Sequence, residues 1–150
     1  KQHHVHTIVF EFLDKMRLPK GVYGAKKLRF KLHYWGKKGI QNKVEEMAHY
    51  EGMRISRVNP RNTSKYSFDG SGEVKRSPRG DVAIFADGKQ YHADLSASYN
   101  IGARYFIREI QKSISEKEWS DMMAKVPAFP TRTKQTLASF ITLRTVLRFS

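Results

Sequence analysis

No cysteine occurs in the 150 residues. That absence excludes disulfides, thiolate zinc sites and a cysteine nucleophile together. It fits a reducing compartment. Long apolar runs are missing as well. Mean hydropathy is −0.61, and no stretch approaches the ~20 apolar residues that a membrane-spanning helix needs. Acidic residues are scarce, 14 Asp and Glu against 28 Lys and Arg, which leaves a net charge of +14. So large a surplus points to a polyanionic partner, most simply nucleic acid. A membrane surface would attract the same charge, but the low hydropathy speaks against membrane residence. No secretory leader is visible at Lys1-Gln2-His3-His4-Val5-His6, which lacks an apolar core and a cleavage site. There is no initiating Met, and the chain opens almost inside a strand, so a piece of a longer protein is expected.

The first apolar run, Val5–Leu13, reads as a strand. Its near-continuous apolarity is that of a strand covered on both faces, as at the centre of an α/β sheet. Glu11 interrupts it near the carboxyl end, where functional groups gather in open α/β sheets. A carboxylate there is costly unless paired or bound to a cation. His3, His4 and His6 read as a solvated histidine tract rather than a metal cluster, because no carboxylate or cysteine stands at ligand spacing.

Residues Lys15–Lys43 hold ten Lys or Arg and no acid, interleaved with Tyr23, Phe30, Tyr34 and Trp35. Cations contact phosphates and aromatic rings stack on bases. Lys26, Lys27, Arg29, Lys37 and Lys38 are therefore candidate nucleic-acid contacts, with Arg104 further on. The spacing of Ile40, Val44, Met47 and Ala48 predicts a helix over Gly39–Glu51 with one apolar stripe. Gly52 is placed to end it. Met53–Val58 alternates like a strand. Strand, helix and strand together predict a βαβ unit.

Residues 62–92 are rich in turn signals and short β segments: Tyr66–Phe68, Val82–Phe85 and Gln90–His92, with Asp87-Gly88 as a hairpin turn. They read as a small insertion outside the main sheet. Asp94 opens a helix that runs to about Gln111. Ala97, Ile101 and Arg104 mark one face; Leu95, Tyr99, Gly102 and Phe106 mark the other. Apolar and small residues on both sides predict a helix packed between elements. Two readings of Asp94 stay open: an N-cap, or a carboxylate that holds a cation. Ser115–Ala124 and Gln135–Leu147 also read as helices. The first is opened by Ser115 and Glu118 as a capping box.

Glu11 and Asp94 are thus two acids at element ends within a basic chain. Carboxylates brought together hold Mg²⁺ or Mn²⁺, and such ions activate water and stabilise the leaving oxygen of a phosphodiester. The segments IVFEFL (8–13), MRISRVNPRNTS (53–64) and GKQYHADLSASYNIGARYF (88–106) sharpen this. They resemble the C-terminal half of the RuvC-type nuclease domain of transposon-encoded TnpB proteins and the related type V CRISPR effectors. The likeness spans roughly the first three quarters of the chain. Asp-Leu-x-Ala-Ser-x-Asn-Ile is its most specific motif.

The resemblance implies an α/β, partial RNase H-like (RuvC) fold with a β-hairpin insertion and a helical C-terminal tail. It divides the chain into a RuvC-like part at 1–61, an insertion at 62–92, a catalytic helix at 93–112 and a helical extension at 113–150. It implies an RNA-guided, divalent-metal-dependent DNA endonuclease in the cytoplasm of a bacterium or archaeon. Glu11 and Asp94 would be the second and third RuvC carboxylates and hold Mg²⁺ or Mn²⁺. Implied partners are DNA, a guide RNA and the N-terminal half of the parent protein, with no membrane. The chain departs from the family pattern in three respects. The first RuvC aspartate belongs to the family's N-terminal half, so this chain alone is expected to be inactive. The insertion, often a zinc ribbon, has Ser67 and Gly70 where the first cysteine pair would fall, so zinc is not expected. Ser96 replaces the usual Asn after Asp-Leu. The alternatives are a non-cleaving, guided binding module of the same family, or a basic RNA-binding protein in which Glu11 and Asp94 are unrelated.

Overall fold

The computed structural model describes residues 5–12, 37–126 and 128–148. Within them the chain is mixed α/β, in agreement with the sequence patterning, with five strands and four helices. It forms two compact units, residues 1–57 and 58–150.

The first unit holds β1 (Thr7–Glu11), α1 (Lys37–Tyr50) and most of β2 (Arg54–Val58). The two strands are hydrogen-bonded neighbours, and the Arg54 N–H donates to the His6 carbonyl at 2.8 Å. Gly52 ends α1 as its position predicts. It takes a left-handed φ of 67° and donates to His49 O, while the Met53 N–H reaches back to Ala48 O at 2.8 Å. These paired bonds satisfy the last helical carbonyls, and glycine adopts that φ without a Cβ clash. Arg57 at the end of β2 pairs with Glu45 of α1.

Two packing expectations fail in this unit. β1 is half-buried along its whole length, and Phe12 beyond it is 42% exposed. Of the α1 stripe, Ala48 is buried, whereas Ile40 and Met47 lie open to solvent. Among the described residues, the two-stranded ribbon presents too little surface to cover both faces of a strand and one side of a helix. Lys26, Lys27 and Arg29 lie outside the described residues.

The second unit begins with a corner at Asn59–Ser64. The Asn59 Oδ1 accepts the Arg61 N–H at 2.9 Å. Asn62 takes φ 64°, and Thr63 donates through both N–H and hydroxyl to Pro60 O. A three-stranded antiparallel sheet follows, in the order β3 (Lys75–Arg76), β4 (Val82–Ile84), β5 (Gln90–His92). Ala83 stands opposite Tyr91 in its register. The Asp87-Gly88 hairpin turn forms as predicted, closed by Phe85 N–H on Lys89 O at 2.9 Å. β3 carried no strand pattern: it is two exposed cations, placed by pairing with β4. Tyr66, expected in a strand, makes a single bridge to Glu73.

Two turns in this sheet share one design. In Ser67–Gly72 the serine N–H donates to Gly72 O, its Oγ accepts the Gly72 N–H, and Gly70 bends back with φ 83°. In Ser77–Val82 the serine N–H donates to Val82 O, its Oγ accepts the Val82 N–H, and Gly80 bends back with φ 79°. Each hydroxyl therefore organises its own turn. The Ser77 hydroxyl also donates to Asp81 at 2.7 Å, which holds that carboxyl below its usual range.

Three helices complete the unit: α2 (Ala93–Ser113), α3 (Glu116–Lys125) and α4 (Leu137–Arg148). Their core is Ile107, Met122 and Leu143, with Trp119, Phe129 and Phe140 packed around it. A separate aromatic cluster of Phe68, Phe85, Tyr91 and Tyr99 ties the sheet to α2, with centroids 4.8–5.1 Å apart. α2 buries Ala93, Ser96, Asn100, Ala103, Arg104 and Ile107. That is one heptad-spaced face, small and polar up to Arg104 and apolar at Ile107. Leu95, Tyr99 and Phe106 are 48%, 44% and 51% exposed, so the expected burial on both sides is corrected to burial on one. No helix among the described residues is long and apolar enough to cross a membrane.

Candidate functional site

Asp94 sits in the first turn of α2, directly after β5. It is not the cap. The cap is His92, whose Nδ1 accepts the Asp94 N–H at 3.3 Å. The same nitrogen stands 4.0 Å from the Asp94 carboxylate. With the capping acceptor supplied by His92, the Asp94 side chain is left 95% exposed.

Beneath Asp94 the helix is anchored by two buried polar residues. Asn100 is wholly buried. Its Nδ2 donates to the carbonyls of Thr63 and Tyr66 at 3.0 and 2.8 Å, and its Oδ1 accepts the Leu137 N–H at 3.2 Å. One amide thus joins the Asn-Pro-Arg-Asn-Thr-Ser corner, the segment at Tyr66 and the start of α4. Arg104, one turn on, is 4% exposed. Its guanidinium donates to the carbonyls of Asn59, Arg61, Thr133 and Gln135 at 2.8–3.2 Å.

This corrects the expectation that Arg104 contacts a nucleic-acid phosphate. Its donors are directed into the protein, where they satisfy carbonyls of two chain corners. The sequence did carry a signal for this role: Ser96, Asn100 and Arg104 recur every four residues and form a polar line on one helix face. Apolar periodicity alone passes over such a line.

Glu11 is the last residue of β1, at the carboxyl end as the sequence reading placed it. It is half-buried, and its backbone carbonyl accepts from Gln41 of α1 at 3.5 Å. Glu11 belongs to the first unit and Asp94 to the second. Lys37 and Lys38 form the start of α1. Within neither unit do the described residues gather three His, Asp or Glu side chains at one point. Both carboxylates offer the hard oxygen donors that Mg²⁺ and Mn²⁺ prefer.

The chain is 36% identical over 97 residues, 62% of its length, to a TnpB-like protein of Aquifex aeolicus. It is 30% identical over 100 residues to a TnpB-like protein of Acidianus two-tailed virus. The chain is TnpB-related. It spans 31% and 22% of the lengths of these two relatives. No family model matches the TnpB-related chain. No solved structure matches it either.

Proposed function

We propose that this chain is the C-terminal part of an RNA-guided, divalent-metal-dependent DNA endonuclease of TnpB type, with a RuvC, RNase H-like catalytic domain. The supporting observation is the Asp94 carboxylate, fully presented to solvent at the start of a helix whose buried face is pinned at Asn100 and Arg104. A metal ligand needs that combination: an open oxygen donor on an element that does not move. The relation to TnpB-like proteins gives the motif around Asp94 its context.

In this reading Glu11 and Asp94 hold Mg²⁺ or Mn²⁺, and the rest of the parent protein contributes the remaining acidic ligand. The bound ions would activate water and stabilise the leaving oxygen of the scissile phosphodiester. This chain's own residues act on geometry. His92 caps α2 and leaves the Asp94 carboxylate to the cation. Asn100 and Arg104 fix the helix beneath it. Glu11 stands at a strand end. DNA and a guide RNA are the partners, drawn in by the net charge of +14.

The test uses the full-length parent with its guide RNA. Asp94→Asn and Glu11→Gln, each alone, are expected to abolish Mg²⁺-dependent cleavage of the guided target while target binding persists. Cleavage at near-wild-type rates in both variants would sink the assignment. Guided binding without any cleavage by the unaltered parent would select the non-cleaving module instead.

A further inference from the structure

The second unit contains a cavity of about 340 Å³ that the nuclease reading does not use. It lies beside the C-terminal half of α2. Arg104, Arg108, Gln111 and Lys112 line it from one helix face, and Arg132 and Gln135 close it from the α3–α4 connection. Four cations converge here and no acidic residue is among the lining residues. Glu109 pairs with Arg108 at 3.1 Å and with Lys112 at 3.7 Å, so one carboxylate is shared by two of these cations. Like charges held together in this way are costly unless an anion joins them.

The arrangement is built rather than accidental. The buried Arg104 guanidinium donates to the carbonyls of Thr133 and Gln135, and the Lys134 N–H closes the turn on Thr131 O at 2.8 Å. The same bonds carry Arg132 to the cavity. Arg104 thus contributes charge behind the site and positions the turn, with its own donors engaged in the protein. Arg108, Lys112 and Arg132 stand at the cavity with two amide side chains, Gln111 and Gln135.

We propose that this cavity binds a backbone phosphate of a nucleic-acid strand. No aromatic ring is among its lining residues, so nothing in it would stack on a base. That favours a phosphodiester within a strand over a free nucleotide. A contact of this kind fixes the position of the strand and carries no sequence information. The proposal rests on the nucleic-acid part of the reading above and not on cleavage.

The experiment measures binding of this chain to a fluorescent oligothymidylate of about 15 nucleotides between about 50 and 200 mM salt. Two double variants remove the same charge: Lys112→Gln/Arg132→Gln at the cavity, and Lys75→Gln/Arg79→Gln on the exposed β3 strand and its turn. The cavity pair is expected to weaken binding roughly tenfold and to lower the slope of log K against log salt by about 0.7, that is, one phosphate contact. The β3 pair should leave the slope unchanged, and Lys112→Arg/Arg132→Lys should bind like the original chain. Thermal unfolding of each variant verifies that it is folded. Equal losses from both charge-removing pairs, or none from the cavity pair, overturn the proposal. Displacement of the strand by a nucleoside monophosphate at constant ionic strength would assign the cavity to a free nucleotide and also overturn it. If the original chain does not bind the strand at all, the nucleic-acid reading falls together with the cavity.

Discussion

Asn100 does more for this fold than any apolar residue near it. Its three hydrogen bonds join segments 34–37 residues apart in sequence, and it is wholly buried. Asn100→Leu keeps the volume but strands two carbonyls and one N–H away from water. Chemical denaturation should show a loss of about 3 kcal/mol, the scale of buried polar groups left unsatisfied. An unchanged midpoint would mean that water or a shifted backbone replaces the amide. Arg104→Lys is a sharper test of geometry. A lysine keeps the charge but offers one ammonium where the guanidinium fork reaches four carbonyls. We expect destabilisation of about 2–4 kcal/mol, because hydrogen bonds to charged groups are lost and the charge stays buried. Asp94→Asn should behave differently. Its side chain is 95% exposed, so the melting temperature should stay within about 2 °C, and under the proposed function the variant would lose cleavage without losing stability. Residue type alone did not separate these three polar residues of one helix. Their environments do.

At the scale of elements, the local signals were the legible ones. The Ser115–Glu118 capping box forms in both directions, and α3 begins one residue after Ser115. The Ser115 hydroxyl, with the Ser115 N–H, holds the Glu118 carboxyl below its usual value of 4.5. A carboxyl whose folded pKa is depressed stabilises the folded form above the unfolded value and loses that contribution as pH falls through the folded value. Helicity of α3 should therefore decline as pH drops below about 4.5. Ser115→Ala should cost about 1 kcal/mol at neutral pH and flatten this part of the acid response. Circular dichroism at 222 nm from neutral pH to pH 3 reads both. A wild-type acid profile identical to that of the variant would show that the box does not stabilise α3. The hairpin turn at Asp87-Gly88 and the Gly52 helix stop were equally readable, because each is specified by residues within a few positions of one another. The β3 strand was not: two exposed cations become a strand because β4 offers them a partner.

At the scale of the whole molecule, the second unit carries its own apolar core, its own aromatic cluster and both buried polar anchors. Residues 58–150 expressed alone should consequently fold, with a cooperative thermal transition and dispersed amide resonances. A molten or unfolded fragment would show that this unit depends on chain outside it. The net charge of +14 belongs to this scale too, since it sets long-range attraction and salt dependence rather than fold.

The amino-acid sequence by itself determined the mixed α/β class, the basic surface, the absence of thiol chemistry and the kinship marked by Asp-Leu-Ser-Ala-Ser-Tyr-Asn. It also placed Glu11 at a strand end and Asp94 at a helix start. These follow from composition and from neighbours a few residues apart, which a linear reading contains. That His92, not Asp94, caps the helix is a local choice that residue type left open and the structure shows. Only the tertiary structure decided that Arg104 faces inward, that Asn100 is the knot of the second unit, and that Arg108, Lys112 and Arg132 converge on one cavity. The physical reason is distance along the chain. The carbonyls that hold Arg104 come from positions 29–45 residues away. Whether a cation faces solvent or the interior depends on whether such partners arrive, and residue type does not state that.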